Sequence, residues 1–511
     1  MIHPHCRDTR HNSAAIVEYV RHQGPNPSNT VDGAGSRRHS SLQSPVHITS
    51  ISPATFPLKS RYKILYFPDR MSSEIPIGGI SLQHGSLVPP GYRTRIVDTA
   101  LARMLDLFGA VEVAGTMWCG KTWTSLSFAE SVTRIGLSGP QEAAKADPST
   151  ALIGARPHVI DEWQDVPAIW DEVRSTVDNP LTPTGSFILT GSTEPNKAKV
   201  NHSGAGRIAK LPMSTMSLQE TGASSGLVSL AGLFEGKFEP QLVQQHLHPL
   251  AESICKGGWP ALIDRESFEP EYLDSYFAAL FDVSIPRKGL PGTESRNVAL
   301  SLARNLGTAA KLSTIAADAR ITASSNRAAI ERTAAHIQAL ESLYLIEPIT
   351  GWDAPIRSKS RLRTKPKRYF ADPSLAASLL QITPQRLLDD GELFGLLFES
   401  LAIHDLGIYA RALPGASAEP LHYYRDSDGL EVDAVIELRD GRWAPIEIKL
   451  GENKVPDALA SLSRLRRKVA ANPAARNPHP AFSAVVVGAG EYARYDAQAD
   501  AYILPLTSLG A

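Results

Sequence analysis

Cysteine is scarce in this chain: Cys6, Cys119 and Cys255 stand far apart in 511 residues. That spacing offers no zinc motif and fits a reducing compartment. An excess of one charge is also missing, with 52 Lys and Arg against 53 Asp and Glu. No global field therefore draws the chain to nucleic acid, and any such contact must come from a local patch. There is no run of 18 apolar residues, so no membrane span is expected. The N-terminus lacks a basic stretch followed by an apolar core, so no secretory signal is read and a cytoplasmic protein is expected. Repeats at solenoid periods are absent too. His3, His5 and Cys6 can be drawn as a metal group, but they sit in a terminal tail and read as an incidental polar end.

What is present points to a buried core and several domains. Apolar residues make up 42% of the chain and charged ones 21%. The length suits two to four domains of about 100–200 residues each. Residues 1–88 are rich in Ser, Pro, His, Gly and Arg and read as a mostly disordered extension, with Met71 an alternative start. Order is expected from Tyr92. Val97, Leu101, Met104 and Leu105 recur at helical spacing, and Ala110 to Ala114 reads as a short strand. With a second strand at Phe187 to Leu189, the alternation from 92 to 215 predicts a parallel α/β domain. Residues 296–348 turn helical, and 353–372 read as a basic hairpin or linker. A helix over Leu393 to Tyr409 comes next. The strands Leu421 to Arg425, Glu431 to Leu438 and Trp443 to Leu450 follow, with turn signals at Asp428-Gly429 and Asp440-Gly441. A helix over Val455 to Val469 and a strand over Ala481 to Val487 complete the reading.

Gly115, Thr116, Met117, Trp118, Cys119, Gly120, Lys121 and Thr122 fit G-x-x-x-x-G-K-[ST] between a strand and a helix. The glycines let backbone N–H groups wrap phosphates, Lys121 reaches the β- and γ-phosphates of ATP, and the Thr122 hydroxyl sits on Mg²⁺. Such a loop needs an acidic partner for magnesium, and Val159-Ile160-Asp161-Glu162 supplies one at a strand end. Asp161 would hold the metal and Glu162 would orient the attacking water. Arg156, Pro157 and His158 interrupt the apolar run, so this strand must be short. Thr190 or Ser192, at the end of the next strand, either senses the γ-phosphate or ends a turn. Arg207 is either an arginine finger, which implies a second copy of the chain, or a solvated loop residue.

Asp433, Glu447 and Lys449 have the order D…E-x-K. Two carboxylates in that order can bind a divalent cation that activates water against a phosphodiester, with the lysine beside the nucleophile. Glu399 on the preceding helix offers one more ligand. The other reading is an amphipathic hairpin with charged outer positions. The turn decides between them. A two-residue loop at Asp440-Gly441 would put Asp433 and Glu447 on opposite faces. A three-residue loop, Arg439-Asp440-Gly441 with glycine in the left-handed position, pairs them directly. The three-residue loop is expected.

Leu312 to Ala319, a turn, and Asn326 to Leu345 suit a helix-turn-helix, with Arg327 and Arg332 on the exposed side of the second helix. Downstream, Arg357, Lys359, Arg361, Arg363, Lys365, Lys367 and Arg368 occur without one acid between them. Such a run can neutralise DNA phosphates, or it can line a solvated linker or contact the chain's own acids.

Taken in order, these pieces resemble a family of bacterial and archaeal AAA-type ATPases that carry a C-terminal domain of unknown function. The matching features are Gly115 to Thr122, Asp161-Glu-Trp-Gln164 with Val166-Pro167, Leu189-Thr-Gly-Ser192, Gly204-Ala-Gly-Arg207, Gly257-Gly-Trp-Pro260, and Glu431-Val-Asp433 with Glu447-Ile-Lys449. The likeness runs from about Tyr92 to Leu504, with extra residues around Ala323 to Ala329. It implies an α/β fold in three parts: a parallel-sheet ATPase core, a helical winged-helix-like module, and a restriction-endonuclease-like domain similar to PD-(D/E)xK nucleases. It favours catalytic roles for Thr190 and Arg207.

The expected division is an extension over 1–88, the ATPase domain with its lid over 89–290 and a winged-helix-like module over 291–352. A basic linker over 353–391 and a nuclease-like domain over 392–511 complete it. The expected function is an Mg-dependent ATPase that couples nucleotide state to a DNA-facing module. The rivals are a non-catalytic nucleotide-gated regulator and a metal-dependent nuclease with regulatory ATP.

Overall fold

Apolar strands with helices against both faces make the first half of the chain a parallel sheet. The computed structural model describes residues 84–194, 203–243, 246–265, 268–355 and 357–511. Residues 1–83, with His3, His5, Cys6 and Met71, lie outside these. Order begins before Tyr92: the Gly85 and Leu87 amides donate to the Ser127 and Ala129 carbonyls at 2.8 and 3.2 Å.

The chain then forms α1 (Ile96–Leu107), β1 (Ala110–Ala114), α2 (Lys121–Leu126), β2 (Ser131–Arg134), α3 (Ser138–Ala146), β3 (His158–Asp161), α4 (Ala168–Val177), β4 (Phe187–Gly191) and β5 (Ile208–Pro212). The strands lie in the order β2-β3-β4-β1-β5, and every pair is parallel. Val111, Val113, Val159 and Ile188 pack with Leu101 and Leu105 of α1. Ala110, Ile160, Phe187 and Leu189 pack on the other side with Ile169 and Val173 of α4. β3 is short, as expected from its composition, and buries His158 as its first residue.

Beyond the sheet come α5 (Leu218–Thr221), β6 (Val228–Ser229), α6 (Leu230–Phe234), β7 (Gln241–Leu242), α7 (Leu247–Lys256), α8 (Pro270–Ala278) and α9 (Ile285–Arg287). Three helices follow, α10 (Gly292–Arg304), α11 (Leu312–Asp318) and α12 (Asn326–Ser342), and then β8 (Ile346–Ile349). The stretch 353–391, expected as a basic linker or hairpin, is folded. It forms α13 (Ser360–Arg363), β9 (Lys367–Phe370), α14 (Pro373–Leu379) and α15 (Pro384–Asp389). β9 pairs antiparallel with β8, and Leu375, Ala376 and Leu387 are buried. The signal lay in two caps. Asp372 and Thr383 each precede a proline, and their side chains accept the Ser374 and Arg386 amides.

α16 (Gly391–Ala412) opens the C-terminal part, followed by β10 (Ala416–Arg425), β11 (Glu431–Leu438), β12 (Trp443–Gly451), α17 (Val455–Ala470), β13 (Ala484–Ala489), β14 (Tyr492–Asp496), β15 (Ala501–Pro505) and β16 (Leu509–Gly510). These build a mixed sheet in the order β10-β11-β12-β13-β15-β14-β7, and β16 pairs with β6. By length and composition α16 is apolar enough to cross a membrane, but 72% of that window is buried inside the fold. Its Phe394, Leu397, Phe398 and Leu401 belong to the large core that runs from Ile96 of α1 to Leu509 of β16.

The β11–β12 turn has the expected three-residue loop. Glu437 pairs with Trp443 and Ala434 with Ile446, and the Leu438 amide donates to Arg442 O at 2.9 Å. Gly441 takes φ +85°, and a Cβ there would lie 2.5 Å from Asn477 Nδ2. Gly441→Ala should therefore cost about 1 kcal/mol or more through the left-handed backbone. Urea unfolding checks this, and an unchanged midpoint would contradict the turn geometry.

Candidate functional site

Gly115 follows the last residue of β1, and a Cβ there would lie 2.0 Å from the Met213 carbonyl oxygen. Only glycine fits. Gly120 takes φ +105° and Trp118 φ +64°, so the loop doubles back before α2. The P-loop is gripped on several sides. Thr116 Oγ1 meets the Tyr276 hydroxyl at 2.6 Å. Met117 is partly buried, and the Trp118 ring lies 5.0 Å from Tyr272 and 5.3 Å from Tyr276. The Cys119 thiol reaches Met213 O at 3.6 Å, and its carbonyl accepts from Arg95 Nη1 at 3.1 Å. Lys121 is buried and its ammonium donates to Thr116 O at 2.7 Å.

The structure brings Thr122, Asp161, Glu162, Thr190 and Ser192 together on the acidic side. Thr122 Oγ1 donates to Asp161 Oδ1 at 2.8 Å, and Thr190 Oγ1 donates to the same oxygen at 2.6 Å. The Glu162 amide donates to Thr190 Oγ1 at 3.1 Å. Ser192 Oγ donates to Glu162 Oε2 at 3.0 Å, and Gln164 Nε2 donates to it as well. Glu162 has φ +58°, an uncommon backbone for a glutamate, placed between the end of β3 and a short turn. Lys121, Thr122, Glu162, Gln164 and Ser192 line a cleft of about 2270 Å³ that Arg287, Lys288 and Ser342 also border. The Thr122 hydroxyl and Asp161 carboxylate form a hard-oxygen pair that fits magnesium.

Sequence reasoning missed Arg95, Tyr276 and the role of Gln164. Arg95 is buried and donates to Glu220, Cys119 O and Ser214 O. No local pattern marks these contacts, because their partners are remote in the chain.

Arg207 stands at the opposite end of the sheet from the P-loop. Ile208, the residue after it, pairs with Ala110 at the start of β1. Arg207 binds Asp178 and cannot reach its own nucleotide loop. The basic run is partly spent within the chain. Arg361 makes a two-pronged contact with Glu437 at 2.7 and 2.8 Å. Lys367 is buried against Glu431 at 2.6 Å and Glu399 at 3.5 Å, and Arg368 meets Glu341 at 3.3 Å. Among the described residues no ion pair is seen for Arg357, Lys359, Arg363 or Lys365.

The C-terminal carboxylates come together. Continuing the β11–β12 register sets Asp433 opposite Glu447. Lys449 Nζ lies 2.8 Å from Asp433 Oδ2 and 2.6 Å from Glu447 Oε2. The Ile448 amide also donates to Asp433, at 2.8 Å. A bulge, which the sequence did not reveal, lies here. Tyr424 pairs with Val432 but His422 with Val435, so β11 carries an extra residue at Asp433-Ala434. Glu399 accepts from the Tyr369 hydroxyl at 2.6 Å.

The side chains of Asp433 and Glu447 meet at the Lys449 ammonium in this arrangement. Among the described residues no group of three or more His, Cys, Asp or Glu side chains is placed to hold an ion. The Lys449 ammonium bridges the two carboxylates. Burial and then the Asp433 charge push Glu447 up to about 8. Burial also raises Asp433, but the Lys449 and Lys367 ammonium groups outweigh it and hold it below its ordinary value. Glu399 is raised by burial and by Asp433.

Three family matches follow one another along the chain. One described as an AAA domain covers residues 108–222. A domain of unknown function (DUF8612) covers 247–386, and another (DUF4143) covers 394–509. The chain thus carries a P-loop ATPase domain of the AAA type. Proteins of Mycobacterium tuberculosis and Mycobacterium bovis, both titled uncharacterised, are each 24% identical over 359 residues, 68% of this chain and 72% of theirs. A Walker-type ATPase of Pyrococcus abyssi is 11% identical, with a TM-score of 0.35 over 57% of this chain and 99% of its own. A Thermotoga maritima RuvB is 15% identical, with a TM-score of 0.26 over 49% and 88%. At these scores neither structural likeness bears on function.

The raised Glu447 carboxyl has a thermodynamic consequence. Glu447 binds a proton more tightly folded than unfolded, so its contribution is full below its ordinary value of 4.5 and is lost as pH rises through about 8. Glu447→Gln mimics the neutral form. Between pH 5 and pH 9 the melting temperature of the wild type should fall more than that of the variant. Parallel profiles would show that Glu447 is ionised throughout.

Proposed function

We propose that the protein is an Mg-dependent ATP hydrolase whose nucleotide state is passed to its helical and C-terminal modules. The carrying observation is the single oxygen Asp161 Oδ1, which takes hydrogen bonds from both Thr122 of the P-loop and Thr190 of β4. That joins the phosphate loop, the metal-side carboxylate and the next strand end at one point. In this reading the ATP phosphate oxygens take the Lys121 ammonium from Thr116 O. Thr122 and Asp161 supply oxygens toward Mg²⁺, which offsets charge on the phosphates. Glu162 accepts the proton of a water as its oxygen bonds to the γ-phosphorus, and the bond to the β-phosphate oxygen breaks to leave ADP. Lys121→Ala should abolish ATP binding in calorimetry without lowering the melting temperature. Wild-type affinity in that variant would sink the assignment. Glu162→Gln should keep the affinity and slow turnover by roughly tenfold or more.

The position of Arg207, remote from its own P-loop, supports a role only toward a neighbouring copy, so in this reading the active ATPase is an oligomer. For the C-terminal domain the bridging Lys449 favours an interaction module over a working nuclease. The fold of that domain, with a three-stranded antiparallel run continued by parallel strands, supports kinship with PD-(D/E)xK nucleases without the metal step.

The α10–α12 helices followed by the β8–β9 ribbon support a winged-helix reading with DNA as the partner. On α12, Arg327 pairs with Glu331 and Arg332 with Glu294. The residues left for phosphates are Arg357, Lys359, Arg363 and Lys365. Neutralising Arg357, Lys359 and Arg363 should flatten the log–log salt dependence of DNA affinity by about two to three units. Neutralising Arg361 and Lys367 should lower stability instead. A slope unchanged by the first set would remove DNA from the proposal.

A further inference from the structure

Glu162 is aimed by the loop that leaves β4, and that loop is anchored both to β5 of the ATPase sheet and to α12 outside it. Thr190 Oγ1 takes the Glu162 amide, and Ser192 Oγ holds the Glu162 carboxylate at 3.0 Å. The next two residues grip the end of α12. The Glu194 amide donates to Ser342 O at 2.8 Å, and Thr193 Oγ1 reaches the same carbonyl at 3.4 Å. Ser342 is the last residue of α12, where helix carbonyls have no partner within the helix. The amides of Leu343 and Tyr344 turn back to Ala339 and Glu341, which leaves Ser342 O to the loop. A third contact braces the joint. Lys210 on β5 binds Glu194 at 2.8 Å and lies over the Tyr344 ring at 5.1 Å.

We infer that the C-terminus of α12 sets the rate of ATP hydrolysis by fixing Ser192, a positioning residue for Glu162. This rests on the hydrolase reading above and deepens it: the ATPase site is incomplete without the helical module. The physical reason is the left-handed backbone at Glu162. A glutamate in that conformation needs its side chain held from outside to keep one direction. Ser192 supplies that hold, together with Gln164. Ser192 follows directly on β4, but the two residues after it have no strand partner in the ATPase sheet and take theirs from α12. A displacement of α12 by whatever binds it therefore pulls on Ser192 two residues away.

The test is steady-state ATP turnover of the full chain. Ser192→Ala should lower kcat by roughly tenfold with KM unchanged, and Ser192→Thr, which keeps the hydroxyl, should restore most of it. Glu194→Pro removes the amide that binds Ser342 O and should lower kcat by a similar factor. The double variant should be no worse than either single one, because both act through one link. If Glu194→Pro fails to fold, Thr193→Val with Lys210→Met loosens the same joint with every amide in place, and should lower kcat at least threefold. Additive losses, a change in KM alone, or an unchanged kcat would overturn the inference. If the wild type binds ATP and does not hydrolyse it, the hydrolase reading falls first. If the wild type turns over and Ser192→Ala matches it, only the present inference falls.

Discussion

The carbonyl oxygen of Met213 approaches Gly115 so closely that no side chain fits between them, and this contact ties the nucleotide loop to the rest of the chain. Three consecutive residues then face three ways. Met213 lies on the P-loop, where its amide binds Ala114 O at 2.8 Å and its carbonyl takes the Cys119 thiol. Ser214 O is held by the buried Arg95, which also holds Cys119 O. Thr215 enters the far module, donating to Asp372 at 2.6 Å and meeting His404 at 2.9 Å. Met216 is locked by Gly258, whose own Cβ would stand 1.9 Å from Met216 O. Residues 213–216 thus tie the phosphate loop to the far module through close-packed contacts.

The far end of that strap enters a buried cluster of titratable groups. Thr215 gives its only proton to Asp372, so its oxygen must accept from His404 Nε2. His404 Nδ1 faces Asp405 Oδ1 at 2.9 Å, and Asp405 also accepts from the Leu218 amide and the Tyr409 hydroxyl. His404 thus lies between Asp405 and the Thr215–Asp372 pair, where its ring can carry a positive charge, and burial raises Asp405 above its ordinary value as well. Burial opposes that charge, but Asp405, Asp372 and Glu347 outweigh it and His404 is raised above its ordinary value. Asp372 accepts from the Gly258 amide and from both the amide and hydroxyl of Ser374 as well. A buried ionic junction of this kind adds little net stability against an apolar substitute, yet breaking one partner is costly. It fixes which surfaces meet.

How much of this was legible in the sequence depends on how local each signal is. The P-loop, the β3 acids and the β11–β12 turn were readable because each is set by residues within one short segment. Gly441 needs a left-handed backbone wherever the hairpin goes, and that alone set the face shared by Asp433 and Glu447. The basic run left phosphate contact and contact with the chain's own acids both open, because the partners of its residues are not near them in the sequence. Lys367 is buried, and its partners Glu399 and Glu431 are far along the chain. Arg95 offered nothing to read for the same reason, since Glu220 and Ser214 are remote. The helices at 373–389 were missed although their caps stood in plain view, because the positive charge before them suggested a linker.

The C-terminal carboxylates show why a motif in the right order does not fix a chemistry. Asp433, Glu447, Glu399 and Glu431 share a small region with two ammonium groups, Lys449 and Lys367. With Arg425, which meets Glu431 at 3.5 Å, four acids face three bases, and an excess of negative charge remains. A proton on Glu447 and the Tyr369 hydroxyl on Glu399 offset it. One of the two lysines belongs to the motif on β12, and the other is brought by β9 from the ribbon after α12. Removing Lys367 would leave buried carboxylates facing one another, a costly arrangement. The same side chains that a nuclease would use on a metal thus hold β9 against the C-terminal sheet. Through β8 and α12 that attachment reaches Ser342 and the loop that aims Glu162, so the two ends of the protein are joined by charge at one end and by a helix carbonyl at the other.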